Sequence, residues 1–206
     1  MNFADFYNRS YTEELIRTIL GKRFKEFKIS YILLSRIPII GNWLGLYNRY
    51  DLTLITENGF LVNPYPDRET GMLHFLPAFA ESYGLTIAID WSGEYNENDL
   101  INFINQRLKE LNEVPLSDEI TKKIRKEQIL GQHERGEFIK RQFRILGDAL
   151  RERKIELKLL NDGSDQYYPF VFTESSYLGL PAKPTNVFFG CFDTYSLDEE
   201  IELTSR

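Results

Sequence analysis

Two histidines and one cysteine are all that this 206-residue chain offers for proton shuttling and soft nucleophilic attack. Such catalysis needs a reactive side chain beside a proton acceptor, so His74, His133 and Cys191 are weighed first. Cys191 stands in the apolar run Asn186-Val187-Phe188-Phe189-Gly190-Cys191-Phe192, where a thiol behaves as a small hydrophobe. No G-x-S-x-G elbow occurs. His133 and Glu137 are four apart and would share a helix face, but the second histidine of H-E-x-x-H is missing, so a solvated helix start is expected. Neither glycine-rich phosphate loop, G-x-x-x-x-G-K-S/T or G-x-G-x-x-G, is present. No catalytic set, no metal site and no cofactor are therefore expected, and an enzyme is the less favoured reading.

Carboxylates beside aromatic rings are the better constellation. Asp90, Trp91 and Glu94 gather at the end of an apolar strand just before a helix, a place where α/β sheets bind ligands. They could hold a sugar or a basic side chain. The alternative is that Asp90 caps a turn and Trp91 fills the core. Asp162 and Asp165 bracket a Gly-Ser turn followed by Tyr167. The likeness to a calcium loop is superficial, because the alternating Asp/Asn positions and the distant Glu are absent, and a turn capped by its own carboxylates is expected.

The elements that must position these residues follow from periodicity. Ser10-Tyr11-Thr12-Glu13 has the form of a capping box, and Leu15, Ile16, Ile19, Leu20 and Phe24 follow at helical spacing, which predicts an N-terminal helix. Ile29 to Leu34 reads as a strand leaving into a loop punctuated by Pro38, Gly41 and Gly45. Asn58-Gly59 between Leu52/Leu54 and Phe60-Leu61-Val62 predicts a hairpin that ends at Pro64 and Pro66. Leu73, Leu76, Phe79, Ala80 and Tyr83 keep helical spacing, with Gly84 as a stop.

Leu85 to Trp91 reads as a buried strand, and Asn98 is placed to cap a helix carrying Leu100, Ile101, Phe103, Ile104 and Leu108. Pro115 and Ser117 open further helices, with a break near 131–136 and an end near Arg153. Ile155, Leu157 and Leu159 alternate, and after the turn at Asp162 the strand from Tyr167 to Phe172 makes a second hairpin. A last strand is expected over 186–192. The expected fold class is α+β: one domain over 1–196 with an antiparallel or mixed sheet, an N-terminal helix and a central run of helices, then an acidic tail over 197–206.

Composition bounds the rest. Hydrophobic residues make 42% of the chain and charged residues 27%, an ordinary folded balance that argues against wholesale disorder. Fifteen Phe, twelve Tyr and two Trp suit both a dense core and a contact surface. A single cysteine cannot form an internal disulfide, and the start shows no basic region followed by an apolar run, so a cytoplasmic location is expected. No apolar run approaches the roughly 20 residues that cross a bilayer, and no membrane partner is expected. Between Arg107 and Lys154 there are thirteen Lys/Arg against nine Asp/Glu, a local +4 within a chain of net −6. The acidic total makes a nucleic-acid partner unlikely.

Two stretches resemble an uncharacterised bacterial family of small acidic cytoplasmic proteins: Tyr83 to Trp91 with its Ile89-Asp90-Trp91, and Lys154 to Tyr168 with Gly163-Ser164-Asp165 before the tyrosines. The resemblance implies a bacterial origin and a mixed fold and transfers no catalytic residues. The favoured function is a non-enzymatic protein-binding protein, of immunity or antitoxin-like character, whose acidic balance suits a basic protein partner and whose rings supply affinity. The alternative is a small-molecule sensor or enzyme using carboxylates and tyrosines near Asp90 and Asp165.

Overall fold

Over 3–36 and 68–84, apolar side chains recur at the three- and four-residue steps of a helix, and these residues fold accordingly. The computed structural model describes residues 3–50, 68–90, 98–130, 137–160, 166–179 and 194–195. The chain forms two compact units, one of Met1–Gly84 with Gly179–Cys191 and one of Leu85–Leu178 with Phe192–Arg206. Helix and sheet together make an α+β protein.

The first unit contains α1 (Phe3–Leu20), a short 3-10 turn (Gly21–Arg23), α2 (Phe24–Arg36), α3 (Pro38–Trp43), α4 (Leu46–Arg49) and α5 (Arg68–Glu81). No proline or glycine interrupts 3–20, so α1 starts ahead of Ser10 and runs through Ser10-x-x-Glu13, which is helix interior rather than a cap. Thr12, Leu15, Ile16 and Leu20 turn inward. The expected strand over 29–34 is instead part of α2: Phe24, Phe27, Tyr31 and Leu34 are buried at helical spacing. From Ile29 to Leu34 only Ser30 is polar, which hides the helical period in a short, mostly apolar run.

Aromatic rings fill this core. Phe27 stacks on Phe75 with centroids 5.2 Å apart and meets Phe79 edge-on at 5.2 Å, while Tyr50 is edge-on to Phe75 at 5.2 Å. Such pairs contribute about 0.5–1.5 kcal/mol each beyond burial. The Tyr50 hydroxyl is buried but shares a hydrogen bond of 3.0 Å with Ser30 Oγ, which removes the cost of hiding it. Helix α5 keeps the expected period, and Gly84 follows it at φ +64°, a left-handed conformation that ends a helix readily with glycine. The expected Asn58-Gly59 hairpin lies outside the described residues.

The second unit contains β1 (Ile89–Asp90), α6 (Asp99–Glu110), α7 (Asp118–Leu130), α8 (Glu137–Arg151), β2 (Ile155–Leu160), β3 (Gln166–Thr173), α9 (Glu174–Leu178) and β4 (Thr194–Tyr195). The four strands form one sheet in the order β1-β3-β2-β4, every pairing antiparallel. The hairpin β2–β3 was expected and is in register Leu157↔Val171. Leu100, Ile104 and Leu108 of α6 and Ile139, Phe143, Leu146 and Leu150 of α8 share one core with Ile155, Leu157, Leu159 and Val171 of the sheet.

Three details correct the expected boundaries. Of the strand expected over 85–91, Trp91 lies outside the described residues and the described part pairs at Ile89 and Asp90; continuing the register toward Leu85 sets Ile87 opposite Pro169, which has no N–H to give. Thr86 Oγ1 donates to the Pro169 carbonyl instead, at 2.8 Å. Asn98 occupies the N-cap of α6 but makes no side-chain cap hydrogen bond. The central helices end at Arg151, and Arg153 Nη1 donates to the Val114 carbonyl at 2.6 Å, pinning the α6–α7 connection. The turn over 162–165, the strand over 186–192 and the tail over 197–206 lie outside the described residues.

Candidate functional site

Sequence reasoning put two groups of binding residues far apart in the chain, and strand pairing brings their described members to one end of the sheet. Asp90 stands opposite Gln166, and Ile89 opposite Tyr167. Directly opposed residues share a sheet face and successive residues alternate. Asp90 therefore lies on one face with Gln166, Tyr168, Lys158 and Glu156, whereas Tyr167 lies on the other. The Tyr167 ring meets Phe143 of α8 edge-on at 5.8 Å and packs on the shared core. Trp91, Glu94, Asp162 and Asp165 lie outside the described residues.

On the Asp90 face the polar groups pair with one another. Tyr168 Oη donates to Gln166 Oε1 at 2.7 Å, and the buried Lys158 ammonium lies 3.4 Å from Glu156 Oε2. His74 of α5 is half-buried and has an interaction partner. His133 and Cys191 lie outside the described residues. Among the described residues no group of three or more His, Cys, Asp or Glu is placed to hold a metal ion.

A second polar cluster sits in the first unit around Tyr83. The Arg23 guanidinium lies 3.9 Å from the centre of its ring, Arg49 donates to its hydroxyl, and the hydroxyl donates to Glu26. Arg49 Nη2 also lies 3.2 Å from Glu26 Oε1. Partial burial, and next the hydrogen bond to Glu26, raise the Tyr83 pKa above the ordinary tyrosine value, so the phenol stays a donor at neutral pH. The cluster ties α2 and α4 to the end of α5. Its chemistry is that of a fastening.

The third feature is a surface. Seven of the nine exposed large apolar side chains among the described residues fall between positions 29 and 44: Ile29, Ile32, Ile37, Ile39, Ile40, Trp43 and Leu44. On α2, Lys25, Ile29, Ile32 and Arg36 follow one another at steps of four, three and four, a single stripe opposite the buried Phe27 and Leu34. Ile39, Ile40 and Trp43 of α3, with Leu44 just past its end, occupy one side of a turn and a half, with Ile39 76% and Trp43 84% exposed. Gly41 faces the other way: a Cβ there would meet the Leu33 carbonyl oxygen at 3.2 Å, so its bare backbone lets α3 lie against the last turn of α2.

Sequence reasoning missed this surface because it read 29–34 as a strand. The legible signal was the basic-apolar-apolar-basic stripe together with the charge of the segment. Residues 21–50 carry Lys22, Arg23, Lys25, Lys28, Arg36 and Arg49 against Glu26, a net of +5 in a chain of −6. Full burial of an Ile, Leu or Trp contributes about 1.5–3 kcal/mol, so leaving seven in water forgoes on the order of 10 kcal/mol. Exposed apolar side chains concentrated in one stretch in this way point to an interaction site rather than to the scattered singles of an ordinary surface. No described helix is long and apolar enough to cross a membrane. No family model, curated protein or solved structure matches the chain.

Proposed function

We propose that this is a non-catalytic binding protein and that the outward face of α2 and α3 is its contact surface. The observation that carries this reading is the concentration of seven exposed apolar side chains within one sixteen-residue stretch. The pairing of polar groups on the Asp90 face, and the fastening role of the Tyr83 cluster, leave neither as a stronger candidate. An immunity or antitoxin-like role would use this face to cover a partner. The +5 of residues 21–50 selects an anionic apolar partner surface, opposite in sign to the basic partner that the chain's overall charge suits.

A photo-crosslinking amino acid placed at Ile39 or Trp43 in the native host should form adducts, with a protein or with lipid, while one at Leu178, 75% exposed in the other unit, should not. Equal behaviour at all three positions would remove the reading. Small-molecule binding at the Asp90 end of the sheet is the second reading, favoured by the Asp90↔Gln166 register. It predicts that some sugar or amine raises the melting temperature of the parent chain and not of Asp90→Ala.

A further inference from the structure

We infer that the partner of the α2–α3 face is the interfacial region of an anionic lipid membrane, with both helices lying in its plane; this rests on the reading of that face as the contact surface. The side chains protrude. Ile39 and Trp43 keep 76% and 84% of their surface in solvent, and a fluid acyl boundary accepts protruding side chains without a preformed complementary pocket. Their types fit the depth they would reach: Ile and Leu enter the acyl boundary, and an indole favours the headgroup level.

Charge supplies the second argument. Lys25 and Arg36 bracket Ile29 and Ile32 on the exposed stripe of α2, so their aliphatic stems can follow the isoleucines inward while the charged ends stay among headgroups. A basic residue near an anionic bilayer contributes about 1 kcal/mol. With +5 over residues 21–50 and −6 in total, the remaining residues carry −11, and this segment is more positive than the +4 stretch over 107–154 while holding the exposed apolar side chains as well.

Length excludes a spanning arrangement for these helices. The thirteen residues of α2 rise about 20 Å, short of the roughly 30 Å hydrocarbon core. Its opposite face is committed to the core through Phe27, Tyr31 and Leu34, so only the Lys25–Ile29–Ile32–Arg36 stripe can enter the bilayer. The sequence pointed to no membrane partner because it holds no spanning run; a helix lying in the interface needs none.

Flotation of the full chain with vesicles of equimolar phosphatidylserine and phosphatidylcholine tests the inference. The chain should float with these vesicles and remain behind with phosphatidylcholine alone. Trp43→Ser should lower the partition coefficient about tenfold, and Arg36→Gln about fivefold. Absence of flotation with the anionic vesicles, or flotation undiminished in Trp43→Ser, would overturn it. If vesicles fail while a crosslinker at Ile39 still captures a discrete protein in cells, the membrane inference falls and the contact-surface reading stands. If both fail, both fall.

Discussion

Helices α2 and α8 lie in different units and solve the same problem on one side only. Each buries a stripe: Phe24, Phe27, Tyr31 and Leu34 on α2, and Ile139, Phe143, Leu146 and Leu150 on α8. On its other side α8 exposes Arg141, Arg144, Asp148 and Arg151, the ordinary solvated face of a core-packed helix. Where α8 has those charges, α2 has Ile29 and Ile32 between Lys25 and Arg36. Folding explains the buried stripes of both helices, and it explains the outer face of α8. It does not explain the outer face of α2, and that surplus is what the proposed contact surface accounts for.

Breaking the buried stripes should have the largest effect and should not distinguish the helices. Phe27→Ala and Phe143→Ala should each cost about 3–5 kcal/mol of unfolding free energy in urea, since both rings are fully enclosed. Gly41→Ala sets a methyl 3.2 Å from the Leu33 carbonyl oxygen, a tight backbone contact that should outweigh the roughly 1 kcal/mol alanine gains over glycine in a helix, leaving a net loss of about 1 kcal/mol or less, read most clearly as faster amide exchange over α3.

On the inner face of α8, Gln142 is 2% exposed and its Oε1 has no hydrogen-bond partner among the described residues. Gln142→Met should therefore stabilise the second unit by about 1 kcal/mol, where a similar change on the outer face would do nothing. The fastening of α2 is sharpened by pH. The folded state holds the Tyr83 proton more tightly than the unfolded chain, so its contribution is intact below the ordinary tyrosine pKa of 10.0 and is lost as pH rises through the folded value. In Tyr83→Phe that alkaline loss should be smaller. The smallest effect on folding belongs to the outer stripe: Ile29→Gln should change stability by no more than about 0.5 kcal/mol.

What the sequence made legible follows from the same contrast. The helices α6 and α8 were readable because their outer faces are polar, so the 3.6-residue period stands out. The β2–β3 hairpin was readable from the alternation of Ile155, Leu157 and Leu159. Helix α2 was unreadable as a helix because Ile29 and Ile32 stand on its outer face, where polar residues would otherwise mark the period. What β1 would meet on running back toward Leu85 depends on a residue distant in the chain, Pro169, whose missing N–H appears only once the strands are paired. For the site, the meeting of Asp90 with Gln166 needed the register, and Tyr167 proved to face Phe143 rather than Asp90 because adjacent strand residues alternate.

Whether the outer face of α2 and α3 is covered at work can be read from thiol labelling. With the single native cysteine replaced, Cys191→Ser, a cysteine introduced by Ile39→Cys is treated with a membrane-permeant maleimide in purified protein and in living cells, and Leu178→Cys serves as the reference. Fast labelling of both positions in the purified chain, with position 39 selectively protected in cells, is the predicted result. Equal labelling of the two positions in cells would contradict the assignment of this face as the contact surface.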